Sequence, residues 1–469
     1  MPKLISILSL LLISVNPLFA QKDTLHYDVS LMTLTSSGKY APFWQQSIRY
    51  GSVLSSPNSS DLFAGVYKEL GNSSAVLKYG YKATLLFQTD YQQSHLYFHE
   101  LYVHGRLSVL DIIFGKREQY LGCQDSVLSC GGILFSKNAR PMPKITLGIE
   151  NFAPLPFTFG YLEAKGAMSH GWFTDNIYMK NSYLQHLYAY LRIGGRLPIH
   201  ISYGLDDVVE WGGYNAAQGQ QPDKWSDFWR LFFGKNGGKD ALITDQTNAL
   251  GNHIISQSLK LEVDVADFKL SGYWQNISED GPIRLIGKTM NAPDGLWGVT
   301  LRNNKFPFLK GILYEYLQTT DQSGPFNEKD GISYGGQDDY FNNGVYQNGW
   351  NYYLRTIGTP FISSPTYNSD GTIYTLNNRV QVHHFGAEGD IYGYRYLLFA
   401  SFSKNYGTYN ASFPAMIRNT SLLLELNKRF PRFYNIDAGC SIAADFGKLY
   451  GNSVSCMFTI RKTGILCRY

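Results

Sequence analysis

The sequence predicts an all-β fold, and specifically an antiparallel transmembrane β-barrel. Three observations carry this reading. First, apolar and polar residues alternate with period two in segments of roughly seven to thirteen residues along most of the chain. Membrane-spanning strands need about 9–11 residues, whereas soluble strands cluster near 5–6. Second, only 17% of residues are charged, against roughly 25% in a typical globular protein, and aromatics reach 15%, with 35 Tyr and 46 Gly. Aromatic rings at a water–lipid interface and glycines at turns explain both excesses. Third, no segment after the N-terminal leader offers about 18 consecutive apolar residues, so a membrane could be crossed only by a closed barrel, which pairs every strand hydrogen bond.

The clearest hairpin is Tyr183 to Tyr203. Leu187, Ala189, Leu191, Ile193, Leu197, Ile199 and Ile201 share one apolar face, while His186, Tyr188, Tyr190, Arg192 and His200 share the other. A three-residue loop, Gly194 to Arg196, would pair Ile193 with Leu197, Leu191 with Ile199 and Ala189 with Ile201, keeping one face apolar throughout. In a barrel that face meets lipid and the other lines the lumen. The same alternation places Tyr79, Tyr81, Ala83, Leu85 and Phe87 together, then Leu259, Leu261, Val263 and Val265, and then Tyr434 through Phe446 at every second position.

At the N-terminus, Lys3, an apolar run from Leu4 to Val15, the Asn16-Pro17 break and Leu18-Phe19-Ala20 read as a Sec signal peptide over residues 1–20. Its removal takes one lysine from 41 basic residues, leaving 40 against 37 acidic, net +3. That balance points to no nucleic-acid partner. Residues 21–60 form a lead, either outside the barrel or contributing one strand plus a segment tucked inside, and residues 61–469 form the barrel. Tyr469 closes an alternating last strand, the signal that barrel-assembly machinery reads. Its phase differs from that of Val454, Cys456, Phe458 and Ile460, so a bulge is expected near residues 462–464.

Three insertions interrupt the strands. Residues 116–145 carry Cys123 and Cys130, which bracket a short polar loop and are candidates for a disulfide in an oxidising compartment. Residues 205–252 contain a short helix, Ser226 to Phe233, with Ser226 as N-cap and Gly234 at its end. Residues 320–380 are rich in Gly, Asn, Asp and Tyr.

Several blocks together resemble a known family. They are Ala41-Pro42-Phe43-Trp44 with Arg49-Tyr50-Gly51, Asn138-Ala139-Arg140-Pro141, Ser169-His170-Gly171-Trp172-Phe173, Trp211-Gly212-Gly213, Gly251-Asn252-His253, and Tyr340-Phe341-Asn342-Asn343 through Gly349-Trp350 to Thr359-Pro360. In order and spacing they are similar to the capsule-assembly Wzi family over nearly the whole mature chain. The resemblance implies an outer-membrane barrel of about 18 strands, its lumen plugged by loops and short helices. It also implies a lectin-like role in binding capsular polysaccharide, and it brings no catalytic motif. An N-terminal helical bundle known from one branch of the family has no counterpart here.

The residues themselves offer little to an enzyme. His383 and His384 are adjacent, so a regular strand points them to opposite faces. His95 and His99 share a face and His104 falls on the other, which suits lumen or interface histidines better than a metal or catalytic site. Glu163 and Asp175 would be the glycosidase pair, but nothing in the sequence brings them together. No catalytic residue, metal site or cofactor is expected. Sugar recognition needs aromatic faces for CH patches and amides, carboxylates or Arg for hydroxyls. The two longer loops supply Trp211, Tyr214, Trp225, Asp339, Tyr340, Asn342, Asn343, Trp350 and Tyr352 as carbohydrate-binding candidates. The alternative for these rings is packing within a plug or an interfacial girdle. The expected function is an outer-membrane lectin that anchors capsular or related polysaccharide, with outer-membrane lipid around it. The runner-up is a porin or transport channel.

Overall fold

The structure, a computed structural model, describes residues 24–71, 76–242, 246, 249–279, 291, 293–329, 332–333 and 336–468. The signal-peptide segment and Tyr469 lie outside them. Among the described residues, 18 strands form one closed sheet. They are β1 (Thr24–Ser36), β2 (Asn58–Lys68), β3 (Leu77–Thr89), β4 (Ser94–Leu107), β5 (Leu110–Lys116), β6 (Pro143–Pro154), β7 (Leu162–Trp172), β8 (Tyr183–Ile193) and β9 (Ile199–Trp211). The ring continues with β10 (Asn252–Val265), β11 (Phe268–Gln275), β12 (Gly295–Asn303), β13 (Gly311–Gln318), β14 (Val380–Ile391), β15 (Tyr394–Gly407), β16 (Ser412–Phe430), β17 (Ile436–Gly447) and β18 (Ser453–Arg468). Every neighbouring pair is antiparallel, and β1 closes the ring by pairing with both β2 and β18. The barrel wall therefore begins at Thr24, inside the stretch read from sequence as a lead. The remainder of that lead holds α1 (Phe43–Ser47), buried within the lumen.

Short turns gather at one end, at residues 108–109, 155–161, 194–198, 266–267 and 392–393, and the Thr24–Arg468 pair lies there too. The other end carries the long connections 37–57, 117–142, 212–251, 276–294 and 319–379. Outer-membrane barrels place short turns in the periplasm and long loops outside the cell. The wall alternates as the sequence predicts. Leu191, Ile193, Ile199 and Ile201 are exposed on the outer face, while His186, Tyr188 and Tyr190 are buried inside. Glycine fits one tight spot in this wall. A Cβ at Gly204 would stand 2.0 Å from the Tyr190 ring, which lies flat over it in the lumen.

Some local expectations shift. The β8–β9 loop spans residues 194–198, and Ile193 pairs with Ile201, Leu191 with Tyr203 and Ala189 with Leu205. The three-residue loop is thus replaced by a longer one. The slip is four residues, so every side chain keeps its face. Pro198 has no N–H to offer a ladder, and Gly195, at φ +59, sits against the backbone of Gly160 and Tyr161 where a Cβ would clash. The bulge in β18 falls at Leu466, between the pairs Leu25–Cys467 and His26–Ile465, rather than at 462–464. A second bulge in β4 skips His99, since Thr84 pairs with Glu100 and Leu85 with Phe98. The phase change turns His99 and His104 to the same inner side, where both are buried.

Cys123 and Cys130 are both free and buried, so the predicted disulfide is not formed. Each end of their loop is fastened to a different strand. Gln275 of β11 donates to the Cys123 sulfur (3.7 Å), and the Cys130 N–H donates to Glu315 of β13 (2.7 Å). The second helix, α2 (Trp225–Phe232), begins one residue earlier than predicted. Lys224 is its N-cap, and the Asp227 carboxylate accepts the Lys224 N–H at 3.0 Å.

Candidate functional site: a plugged lumen under an aromatic outer face

Three long connections turn into the barrel and fill it. One continuous apolar core joins Phe43 and Trp44 of α1, Leu128, Ile133 and Leu134 of loop 117–142, and Tyr340, Phe341, Trp350, Ile357 and Phe361 of loop 319–379. Wall residues Leu184, Val208, Ile254, Leu313, Val382, Phe399, Leu423 and Ala443 complete it, so the plug touches the wall from β8 round to β17. A smaller cluster of Met32, Leu34, Ala41, Val53 and Met457 seals the wall near β1 and β18.

Polar anchors fix the plug in one position. Glu315 on β13 accepts hydrogen bonds from the Ser129 hydroxyl (2.6 Å), the Cys130 N–H and the Tyr273 hydroxyl (2.6 Å). Arg302 forks onto Asp125 (2.7 and 2.8 Å) and reaches Glu388 (2.6 Å). Arg355, buried, donates to the Val53 carbonyl (2.7 Å) and Gln46 (3.0 Å), linking the longest loop to the α1 segment. A buried carboxylate or guanidinium is tolerated only when its hydrogen bonds are met, and these are. Burial alone would raise the Asp125 carboxyl. The Arg302 hydrogen bond and the Leu128 and Val127 N–H groups outweigh it and hold Asp125 below the usual carboxylate range.

Most of the nine sugar-binding candidates turn out to belong to this packing. Tyr340, Trp350 and Tyr352 are fully buried. The Tyr340 hydroxyl donates to Asp294 (3.1 Å) and accepts from Asn291 (2.8 Å), and the Trp350 indole donates to the Leu134 carbonyl (2.8 Å). The Tyr352 hydroxyl meets Thr174 at 2.5 Å. Asp339 accepts from Asn342 (3.1 Å) and Asn378. Asn342 also donates to the Thr375 carbonyl (2.9 Å), and Asn343 donates to Asn252 (3.1 Å) while accepting the Val345 and Tyr346 N–H groups. These six take part in holding the plug together, Tyr340, Trp350 and Tyr352 fully buried and Asp339, Asn342 and Asn343 half-buried.

The remaining three separate. Trp211 ends β9 on the outer wall and is buried, Trp225 of α2 is 70% exposed, and Tyr214 is exposed between them in sequence. What the long-loop end does present is a stack that sequence reasoning missed. The Arg140 guanidinium lies 4.3 Å from the Tyr97 ring centre and 4.0 Å from that of Tyr353. Asp175 accepts the Tyr353 N–H at 3.0 Å, and burial raises the Asp175 carboxyl above its usual range. Thr174, Asn176 and Tyr353 are exposed beside it. Arg140 belongs to one of the blocks quoted above, but its partners lie about 40 residues before it and more than 200 after it, and no periodicity connects them.

The other chemical candidates resolve as ion pairs or as ordinary hydrogen-bonded side chains. Glu163 bonds Arg192 (2.7 Å). His104, Asp111 and Glu150 offer ligand atoms within 4.8 Å of one another. Arg106 already bonds Asp111 (2.6 Å) and Arg117 already bonds Glu150, so that cluster is a neutralised network. His383 is exposed while His384 is buried between Ser401 (2.8 Å) and the Leu128 carbonyl (2.9 Å).

Comparison with known proteins agrees with this architecture. Among solved structures, Wzi of Escherichia coli, described as an outer-membrane protein involved in group 1 capsule assembly and a carbohydrate-binding β-barrel, aligns with a TM-score of 0.57 and 13% identity. The alignment covers 92% of this chain and 84% of that one, and at this identity it shows a shared fold. OccK10 (OpdN) of Pseudomonas aeruginosa aligns with a TM-score of 0.48 and 9% identity over 95% and 100% of the two chains. OccAB4 of Acinetobacter baumannii gives 0.48 and 10% over 95% and 99%. No curated protein matches in sequence. The family model described as capsule assembly protein Wzi matches residues 44–384, which takes in loops 117–142 and 319–379, most of α1, and the wall from β2 to the first residues of β14. This outer-membrane barrel therefore belongs to the capsule assembly protein Wzi family.

Proposed function

We propose that this chain is a non-enzymatic outer-membrane lectin that binds capsular or a related surface polysaccharide and retains it at the cell surface. The observation that carries the reading is a plugged lumen crowned by the exposed Tyr353 ring, with the half-buried charges of Arg140 and Asp175 beside it. A barrel whose interior is packed with Trp44, Tyr340, Trp350 and Tyr352 offers its outer end rather than its bore. At that end Tyr353 supplies a ring face for sugar CH groups, and Arg140, Asp175, Thr174 and Asn176 supply donors and acceptors for hydroxyls. A single such contact is weak. Repeated along a polymer held by many barrels, such contacts sum by multivalency, and retention needs no energy source. On this reading the chain is exported by its leader, inserted by barrel-assembly machinery and surrounded by outer-membrane lipid.

The test is binding of purified capsular polysaccharide to the protein in lipid nanodiscs. Tyr353→Ala should weaken binding by about tenfold, the loss of roughly 1–1.5 kcal/mol of ring contact. Unchanged affinity in that variant, with the barrel intact, would remove the stack from the site. The competing channel reading predicts a steady conductance from the wild-type protein in a planar bilayer. The apolar plug spanning the wall from β8 to β17 favours the closed reading.

A further inference from the structure

The described residues of loop 212–251 contribute nothing to the lumen core. On β7, β8 and β9 the outward positions include Met168, Tyr183, Val209 and Trp211, in register with the lipid-facing Leu191 and Ile201 below them. These upper positions are covered. Val209 and Trp211 are 2% and 3% exposed, packed under Phe228 and Leu231 of α2 in a cluster separate from the lumen core. Beside them, in the outward pair Asp207–His253 (3.0 Å), His253 is buried and Asp207 half-buried. The helix thus rides on the outside of the barrel. Its height follows from strand geometry. Val209 is eight residues above Ile201, about 20 Å along the membrane normal for a rise of 3.3 Å per residue and a tilt near 40°. That is the upper edge of an apolar band about 25 Å tall.

The side of α2 away from the wall is not polar. Trp225, Trp229 and Phe233 follow one another at four-residue spacing, 70%, 41% and 53% exposed, and make a continuous aromatic ridge. On the helical wheel Ser226 and Arg230 occupy the next flank, with Lys235 and Lys239 exposed just beyond the helix. One face clamps the wall, one is aromatic and one is polar and basic. Such a helix suits a membrane interface, where Trp and Phe sit at head-group level and Lys and Arg meet anionic head groups.

We propose that α2 is an interfacial anchor: its Trp225–Trp229–Phe233 ridge is seated in the outer leaflet, with the bound lipid's upper acyl chains as its partner. The occupant is lipid rather than polymer because the ridge continues the lipid-facing surface of β8 and β9, and because Lys235 and Lys239 stand exposed beside it, while Lys224 and Arg230 are paired with Asp240 and Asp227. The anchor would fix the rotation and depth of the barrel and hold loop 212–251 against its wall.

The test uses the full-length protein in nanodiscs of plain phospholipid and of phospholipid brominated near the head-group end of its acyl chains. Two of the eight tryptophans are removed in Trp225→Phe with Trp229→Phe, which preserves the ring packing. The emission difference between wild type and variant isolates those two residues. The proposal expects that difference to fall by about half or more in brominated lipid, and not to change when purified polysaccharide is added in plain lipid. Equal difference emission in the two lipids overturns it. So does a change on adding polysaccharide without a bromine effect, which would make the ridge a sugar platform, and so does a change that follows protein concentration, which would make it a contact between copies. Retained heat-modifiable migration of the variant shows that the barrel has folded.

Discussion

Leu191 lies on the outer face of β8, 50% exposed, between the exposed Phe157 and Phe159 at the short-turn end and Tyr183 near the other. Placing Arg there should cost about 2–4 kcal/mol if it lies near the bilayer midplane. Urea titration of refolding into lipid measures this, and an unchanged midpoint would deny the lipid-facing assignment. On the inner face, Glu315→Ala removes the acceptor of three donors. Leaving the Ser129 and Tyr273 hydroxyls and the Cys130 N–H unmet should lower stability by about 1–3 kcal/mol. At this scale the sequence is readable where two media meet across a strand: Leu191 and Tyr190 announce their faces by alternation. It is unreadable where a residue's partner is remote. Tyr340 and Trp350 have the composition of a sugar site, but their hydroxyl and indole are spent on Asp294 and Leu134.

Between elements, alternation sets the face and leaves the register open. A slip of four residues in the β8–β9 hairpin changes the partner of Leu191 from Ile199 to Tyr203 and moves no side chain across the wall. Bulges are similarly hidden, and the one at His99 alone reverses the expected face of His104. The plug has no period at all. Arg355 reaches Val53 across 302 residues, and only the folded chain brings them together. Two outcomes follow for the plug. Deleting residues 321–377 while keeping β13 and β14 should convert a silent barrel into one with steady single-channel conductance, because most of the lumen's aromatic filling leaves with that loop. Acid should loosen loop 117–142. Asp125 is held below its ordinary value, so its contribution is present above roughly pH 3.9 and is lost as pH falls through the folded value. Exchange protection in that loop, corrected for the intrinsic amide rate, should therefore fall with acidification below about pH 4, and Arg302→Ala should weaken the dependence, the Leu128 and Val127 N–H groups remaining.

For the molecule as a whole, strand length, charge poverty and the absence of long apolar helices sufficed to indicate a closed barrel, because lipid permits so few ways of satisfying a backbone. The lead segment was the chief ambiguity in that plan. A single strand, β1, closes the ring and its continuation enters the lumen as α1. On the retention account proposed above, holding a polymer would depend on the whole barrel being embedded, shut and displayed outward. The most direct measurement is the partition of capsular polysaccharide between cells and medium in a strain from which this gene has been deleted. The retention account predicts polymer made in normal amount but shed into the medium, with cell association restored by the wild-type gene. Polymer that stays on the deleted cells, or is no longer made, would contradict it.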